Sequence, residues 1–401
     1  MSKKKKTIIL IVVLCAVLLL LIGLLVFVSG SKKKKAEEER RQSASLSMRE
    51  SSISLSKKAA SLAALSSEKK TSSASSSSAS SAEETKPTGP KSPLTGEVLL
   101  DPSLLTKRNV AFMIENSSPA LPHYGINSAG VIYECPMEGG MTRYMAVFED
   151  YKGLDRIGNL RSCRPYFAYI ASEYDAVYVH FGQSVHGEEL LATGIVADLN
   201  GTDGSLNDIW FRSSDKKSPH NAYTTGAGVD EGIAQKGYRT TKKEGLRDHF
   251  IFSEKENTLP SGEPCEALSL YLYNNQPYFI YDKSTGLYKR FEYDAAEIDA
   301  VDGKQIMVKN IILQDVPCSI YEGTTYLNIP VKGTGKGKFI TDGKMIDITW
   351  EKKSDTGITS YFMPDGSEIE LNPGKTWVSL IEKYHSDENN FYSTIEEFNA
   401  R

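Results

Sequence analysis

The chain has 401 residues, of which 24% are charged and 40% are hydrophobic, and its formal net charge is −4 at pH 7. The charge is unevenly distributed, because residues 1–92 carry 17 Lys and Arg against 7 Asp and Glu, whereas residues 93–401 carry 30 against 44. A globular part with such an excess of acidic side chains repels nucleic-acid phosphates. The composition therefore excludes DNA and RNA as partners.

The first predicted element is an apolar stretch near the N-terminus. Residues 7–28, which begin at Thr7 and end at Val28, contain no charged side chain, and lysines flank both ends. A helix of this length spans a hydrocarbon core of about 30 Å at 1.5 Å per residue. We predict one uncleaved transmembrane helix, with residues 1–6 as a cytoplasmic tail and the rest of the chain outside the cytoplasm. A cleaved signal peptide is the alternative.

Serine and lysine dominate the segment that follows, residues 29–92. Between Ser43 and Ser81 there are 18 serines. Such a composition buries too little apolar surface to offset chain entropy, which predicts a disordered linker between the membrane and a globular part.

Residues 93–253 alternate between strand and helix patterns, which favours an α/β-type domain with a mixed sheet. The apolar runs near residues 109–115, 131–135, 144–148, 157–161 and 176–181 are typical of strands, and residues 166–173, 185–193 and 229–236 of helices. Proline, glycine and charged residues near 254–263 predict a domain boundary.

Residues 264–385 predict a mostly β C-terminal domain, so that the fold class is α+β. Turn pairs such as Asp342-Gly343 and Asp365-Gly366 separate short strand patterns, as in hairpins. The glycine-rich residues 333–337 are interpreted as a connection between strands, and residues 386–401 as a C-terminal tail.

Five cysteines are present, and Cys15 lies within the apolar stretch. The other four have no C-x-x-C spacing, so no metal site and no cofactor are predicted. Outside the cytoplasm they could pair, with Cys265 and Cys318 as the first candidates, or they could be small buried hydrophobic residues.

The most informative stretch is residues 131–167, where charged side chains stand at the ends of adjacent predicted strands. Arg143, Arg161 and Arg164 are accompanied by Glu138 next to Gly139-Gly140. Guanidinium groups bind phosphate or carboxylate with two parallel hydrogen bonds, which indicates an anion site. The alternative is internal ion pairing with nearby acids such as Glu134 or Glu138.

Other patterns carry chemistry less directly. His220 and Asn221, after a proline, are predicted to shape a loop or to contact a ligand, and Glu138 with His220 could serve a hydrolase or transferase. Ser184 follows a strand and precedes a helix, as in a nucleophile elbow, but bulky His186 stands where that turn needs glycine. His180, His186 and His220 have no standard metal-ligand spacing.

Several motifs together resemble the YerB-like family of exported bacterial proteins. They are MEGGMTRYMAVFED, RIGNLRSCRPYF, EYDAVYVHFG and SPHNAYT in the first domain, and GKFITDGKMIDITW with MPDGSEIELNPGKTWVSLI in the second. The resemblance implies two domains and attachment to the membrane, often as a lipoprotein, but no reaction. Cys163 stands where the family pattern implies a small residue, which favours a packing role for its thiol.

Taken together, the sequence favours a membrane-tethered cell-envelope protein that acts as a binding or accessory module. The predicted ligand site contains Glu138, Arg143, Arg161, Arg164, His220 and Asn221. The predicted partners are the membrane, through residues 7–28, and an anionic cell-wall glycopolymer or an envelope protein. A cell-wall hydrolase or transferase and a protein–protein scaffold remain the alternatives.

Overall fold

The computed structural model describes residues 89–272 and 274–401. The predicted cytoplasmic tail, the transmembrane helix and nearly all of the predicted linker lie outside the described residues. Within the described ranges, no helix combines the length and apolar character needed to cross a membrane.

The described residues form a mixed α+β structure with mainly β content. Four α-helices are present there: α1 (Pro165–Glu173), α2 (Val185–Leu191), α3 (Gly226–Gln235) and α4 (Ile395–Asn399).

The strands of the first half are β1 (Val110–Asn116), β2 (Val131–Met137), β3 (Met141–Phe148), β4 (Ile157–Gly158), β5 (Val177–His180), β6 (Ala197–Asn200), β7 (Trp210–Arg212), β8 (Ala222–Thr224), β9 (Ile251–Phe252), β10 (Glu263–Pro264), β11 (Ala267–Ser269) and β12 (Tyr278–Asp282). Those of the second half are β13 (Leu287–Glu292), β14 (Ala295–Ala296), β15 (Met307–Val308), β16 (Asn310–Val316), β17 (Ser319–Ile320), β18 (Leu327–Asn328), β19 (Gly333–Thr341), β20 (Lys344–Lys352), β21 (Ser360–Phe362), β22 (Glu370–Leu371), β23 (Thr376–Glu382) and β24 (Asn390–Tyr392).

Strands from both predicted domains join one 11-stranded sheet, in the order β10-β20-β19-β16-β23-β2-β3-β1-β5-β6, with β21 beside β20. The junction between the two halves is the parallel pair β2–β23, in which Val131 lies opposite Thr376. The pairing explains why the first six residues of β23 are all buried, because a strand inside a large sheet is covered on both faces.

The two faces of this main sheet carry separate hydrophobic cores. On β1, Ala111 and Met113 belong to one core together with α1, and Phe112 and Ile114 belong to the other. A smaller sheet, in the order β14-β13-β12-β11-β24 with β15 beside β13, covers the second face. Alternation of side chains along a strand places successive residues on opposite faces, so one strand serves both cores.

Two segments differ from the sequence interpretation. Residues 333–337 are part of β19 rather than a connection, because β19 pairs along its whole length with β20. The hairpin turn lies at Asp342 and Gly343, whose φ angles of 49° and 74° suit a two-residue turn. Residues 386–401, interpreted as a tail, supply β24, which pairs with β11, and α4.

The cysteines of the described residues are all free. The expected pair Cys265–Cys318 is therefore wrong: Cys265 is buried between β10 and β11, and Cys318 is partly exposed between β16 and β17. Cys163 is fully buried, and burial raises the pKa of its thiol to about 12, which agrees with a packing role.

Candidate functional site

The predicted site residues lie at one edge of the main sheet. Strands β1, β5 and β6 are parallel, and β2 runs in the same direction because both β1 and β2 are antiparallel to β3. Their carboxyl ends therefore share an edge, which we call the carboxyl edge. In open sheets with parallel strands, this is the edge at which ligands bind.

The segment that carries Arg161 inserts between the carboxyl ends of β1 and β5. The Arg161 N–H donates to the Met113 carbonyl, and the Arg161 carbonyl accepts from the Phe181 N–H, at 3.0 Å each. These two backbone bonds fix where the side chain starts. The local sequence therefore brings Arg161 to the same edge as Arg143 at the start of β3.

Arg164 and Glu138 form a bidentate ion pair. The Arg164 Nε and Nη2 groups donate to Glu138 Oε1 and Oε2, both at 2.9 Å, and the Leu327 N–H also donates to Oε1. Burial alone would raise the pKa of Glu138, but the hydrogen bonds and charge of Arg164 outweigh it and lower that pKa. Arg164 is therefore paired internally, which is the alternative that the sequence analysis considered.

Arg143 has a different environment. Its Nη1 donates to the Ser162 carbonyl at 2.6 Å, and no carboxylate of the described residues lies within 4 Å of its guanidinium. Burial lowers the pKa of Arg143 to about 10, and the positive charges of Arg164 and Arg161 add to this effect. Arg143 is therefore close enough to Arg164 and Arg161 to experience the positive charge of both.

Arg161 and His220 face the same carboxylate oxygen. Glu115 Oε2 lies 3.2 Å from Arg161 Nε and 3.0 Å from His220 Nδ1, but neither contact has hydrogen-bond alignment. The side chains of Arg161 and His220 keep 21% and 23% of their surface exposed. The terminal nitrogens of Arg161 make no hydrogen bond within the described ranges. The contact of Arg161 Nε with Glu115 therefore leaves them able to donate to another group.

Asn221 is engaged in its own loop. Its Oδ1 accepts from Arg212 Nη1 and its Nδ2 donates to the Ser213 carbonyl, both at 2.9 Å. We therefore assign Asn221 to loop support. Glu138 pairs with Arg164 whereas His220 faces Glu115, so the acid and the histidine of the predicted hydrolase have different partners.

Two charged residues near the site were not among the predicted ligand-binding residues. Glu115 is the partner of both Arg161 and His220, and Lys216 donates to the Ala120 and Pro122 carbonyls beside this loop. Burial lowers the pKa of Lys216 to about 8, and the charge of Arg156 contributes. The pair Lys216-Lys217 before the proline was the available signal for a further positive group here.

A second group of charged residues is completely buried between the main sheet and the smaller sheet. Arg290 on β13 contacts Glu134 on β2 at 2.7 Å and Glu297 at 3.2 Å, and it lies 3.8 Å from Glu292. We call these residues, together with His123, the buried ionic network. Their signal in the sequence was the alternation of Tyr288, Arg290 and Glu292 on the inward face of a strand.

His123, Glu292 and Glu297 are the group in the described part of the chain whose ligand atoms are close enough for a metal ion. However, His123 Nδ1 faces Glu297 Oε1 at 2.9 Å and Nε2 faces the Glu115 carbonyl at 2.7 Å. Both partners are acceptors, so both ring nitrogens must donate, and an imidazolium is no metal ligand. With Arg290 beside the same carboxylates, these residues do not fit a cation.

Protonation balances this network instead. Burial opposes the charged form of His123, but the hydrogen bond and charge of Glu297 outweigh it and raise the pKa of His123. Burial and the charge of Glu297 raise the pKa of Glu292 to about 8. The raised pKa values of His123 and Glu292 favour an imidazolium and a neutral carboxyl group, which reduces the excess of negative charge around Arg290.

Ser184 and His180 have structural roles. Ser184 is the N-cap of α2, and its Oγ accepts from the Gly187 N–H at 3.1 Å. This capping role accounts for a serine at this position without a catalytic function. His180 is fully buried between the Gly182 carbonyl and Asp198.

Comparison with known proteins places this architecture in a family. Residues 94–239 match the N-terminal domain, and residues 268–378 the C-terminal domain, of a family described as protein of unknown function (DUF3048). The chain is 27% identical over 296 residues to the protein named "Putative lipoprotein YerB" of Bacillus subtilis (strain 168). The match covers 73% of this chain and 86% of that protein.

A solved structure agrees with the same relationship. The crystal structure of the YerB protein from Bacillus subtilis superposes with a TM-score of 0.66 and 26% sequence identity. The match covers 75% of this chain and 99% of that one. The YerB-like resemblance is confirmed, and the chain belongs to the two-domain DUF3048 family.

Proposed function

We propose that this protein is a membrane-tethered module outside the cytoplasm that binds an anionic ligand of the cell envelope at its carboxyl edge. The name of the Bacillus subtilis relative as a lipoprotein supports attachment to a membrane. In this chain, residues 7–28 would supply the attachment as a single helix. The ligand class is a polymer that carries phosphate groups, such as a wall glycopolymer.

One observation carries the proposal. At the carboxyl edge, no carboxylate of the described residues lies within 4 Å of the Arg143 guanidinium, and Arg161 has only Glu115 Oε2, which it shares with His220, so that its terminal nitrogens keep their hydrogen-bonding capacity. Arg164 lies beside them but has its own partner in Glu138. Like charges held together without full compensation favour a negative ligand, because the ligand relieves their repulsion.

The surrounding charges support the same conclusion. The segment after residue 93 is strongly acidic, yet Lys216 adds an ammonium group beside the arginines at this edge. The edge is therefore a local positive surface on a negative body. Such a surface selects a negatively charged partner over a neutral one and accelerates its encounter.

The test is a binding titration of the full-length chain, purified in detergent, with teichoic acid at two salt concentrations. Arg161→Gln removes the guanidinium group and keeps the fold, because this side chain is partly exposed. We expect the affinity for teichoic acid to fall about tenfold or more. Arg161→Lys keeps the positive charge but cannot form two parallel hydrogen bonds. We expect its affinity for teichoic acid to lie between those of the wild type and Arg161→Gln.

Arg247→Gln is the matched control, because Arg247 is an exposed arginine paired with Glu368 in another part of the molecule. We expect it to bind as the wild type does. The proposal is rejected when no teichoic acid binds, or when Arg247→Gln loses as much affinity as Arg161→Gln. Titration with muropeptide in parallel shows whether phosphate or carboxylate is the preferred group.

A further inference from the structure

A second candidate site lies on the face of the main sheet that carries the smaller sheet. A cavity of about 800 Å³ lies over β16, β19 and β20 and contacts residues 383–391. A neighbouring cavity of about 410 Å³ shares Lys338, Asp347 and Pro364 with it. The two cavities therefore form one elongated groove, which we call the β20 groove.

The groove exists because the main sheet extends beyond the smaller one. Leu313 on β16 is buried in the core beneath the smaller sheet. Leu313 also borders the larger cavity, and Asp315, two residues further on the same face, lines it beyond the smaller sheet. Phe391 borders the groove from the other side, with the Lys338 ammonium 5.1 Å from the centre of its ring.

One edge of β20 has a gap at this groove. β10 pairs with Lys344 and Met345, and β21 pairs with Thr349, Trp350 and Glu351, so within the described ranges residues 346–348 have no strand beside them on that edge. An unpaired strand edge offers backbone donors and acceptors to an incoming extended chain.

The register identifies the backbone groups that face the gap. The Cys265 N–H donates to the Gly343 carbonyl, which directs the odd-numbered residues of β20 toward this edge. The N–H and C=O of Asp347 therefore point into the gap. Ser261 and Glu263 line it on one side, and Met363 and Pro364 on the other.

The charge of the groove is negative once its internal ion pair is removed. Lys338 and Asp347 neutralise each other at 2.6 Å. The remaining charged lining residues are four acids and two lysines: Glu263, Asp315, Asp365 and Asp387 against Lys336 and Lys383. The groove thus favours a ligand that carries positive charge.

Asp315 is the acid best placed to receive that charge. Its carboxylate has no hydrogen bond and no ion pair with any described residue, and it is half-buried in the larger cavity. Burial raises the pKa of Asp315 to about 6, because the ionised carboxylate lacks a partner there. An ammonium group beside it would supply that partner.

We propose that the β20 groove binds an extended peptide of a partner protein, with its backbone at the gap beside Asp347 and a lysine-type ammonium group against Asp315. Asp315 on β16 and Asp347 on β20 are separated by two strand spacings and two residues along the strand. With the usual spacings of a β-sheet, this corresponds to a distance on the order of 12 Å. An extended peptide of about four residues spans this distance.

The test uses the full-length chain in detergent and fluorescently labelled peptides of eight residues. One peptide contains a central Ala-Lys-Ala-Ala sequence, a second has glutamine in place of lysine, and a third carries N-methyl groups on the central residues. We expect the lysine peptide to bind at least fivefold more tightly than either of the others, since they lack the ammonium group or the backbone donors.

Asp315→Asn keeps the shape of the side chain and is expected to reduce the affinity for the lysine peptide to that of the glutamine peptide. The matched control is Asp355→Asn, an exposed aspartate paired with Lys332 outside the groove, which should bind as the wild type does. Urea unfolding of both variants verifies that they are folded.

Equal affinity for the lysine and glutamine peptides, or an unchanged affinity in Asp315→Asn, overturns the proposal. A different result is obtained when the chain's own lysines occupy the groove. In that case the peptide binds only after Lys57, Lys58, Lys69 and Lys70 are replaced by glutamine, which overturns the assignment to a separate partner.

Discussion

Two groups of the same three residue types lie close together in this molecule and have different surroundings. In the buried ionic network, Glu297 bridges Arg290 and His123, and at the carboxyl edge Glu115 bridges Arg161 and His220. The Glu115 carbonyl even contacts His123, so the two groups are neighbours. Residue type alone therefore does not distinguish a structural ion pair from a binding site.

The difference lies in how completely the charges are satisfied. Glu297 uses one oxygen for Arg290 and the other for His123, and all three side chains are inaccessible to water. Glu115 offers a single oxygen to both Arg161 and His220, and Arg161 remains partly exposed. The first arrangement connects the two family domains, and the second leaves the terminal nitrogens of Arg161 without a hydrogen bond to the described residues.

Breaking the buried group should have the largest effect. Arg290→Met removes the cation between Glu134 and Glu297, both without access to water, and should reduce the free energy of unfolding by about 3–5 kcal/mol. Arg161→Met at the edge should cost about 1–2 kcal/mol, because the buried Glu115 loses this cation but keeps the hydrogen bond from Ser117 at its other oxygen. Urea unfolding followed by tryptophan fluorescence measures both, and similar losses in the two variants would contradict the comparison.

The pH dependence of stability sharpens the same contrast. The folded state raises the pKa of Glu292 from 4.5 to about 8, so its contribution to stability is complete below pH 4.5 and is lost as the pH rises toward 8. The pKa of His123, raised above 6.5, acts in the same direction. The other charged groups facing Glu292 are Arg290, Glu134 and Glu297.

We therefore expect the free energy of unfolding to fall by a few kcal/mol between pH 5 and pH 8, at about 1.4 kcal/mol for each unit of pKa shift. Glu292→Gln stays neutral at every pH and should flatten this curve. Urea titrations at pH 5, 6, 7 and 8 measure the slope, and an unchanged slope in Glu292→Gln would exclude Glu292 as the titrating group.

The pair Arg164–Glu138 is intermediate between the two groups, since it is well aligned but only partly buried. Glu138→Gln leaves Arg164 with one neutral acceptor and should cost about 1–2 kcal/mol. Glu368→Gln breaks the more exposed pair with Arg247 and should cost less than about 1 kcal/mol. A larger loss of unfolding free energy in Glu368→Gln than in Glu138→Gln would show that the alignment of the two groups does not determine the strength of the ion pair.

Much of the fold followed from the sequence because local patterns determine it. The apolar run before Asn116, the strand ending at Phe148 and the helix starting at Pro165 all occur near their predicted positions. The sharing of one sheet by both halves did not follow, because it depends on the pairing of β2 with β23, which are far apart in the chain.

The candidate site was predicted only in part for a similar reason. Its arginines were visible because they stand at strand ends, but the partner of each arginine depends on which strands are adjacent. Glu115 lies opposite Arg143 in the β1–β3 register, yet its carboxylate turns to Arg161 instead. The chain of charges from Glu134 to Arg290 crosses between the two sheets and has no local signature.

The smallest predicted effect concerns the two histidines. His220→Asn removes a ring that is partly exposed and misaligned with Glu115, so the free energy of unfolding should change by less than about 0.5 kcal/mol. His123→Asn removes two buried hydrogen bonds and a charge, and should cost several times more. The same urea titrations compare the variants at pH 6, where the imidazolium of His123 is retained. Equal losses would mean that the edge histidine contributes to folding as much as the buried one, and the assignment of the carboxyl edge to ligand binding would lose its energetic basis.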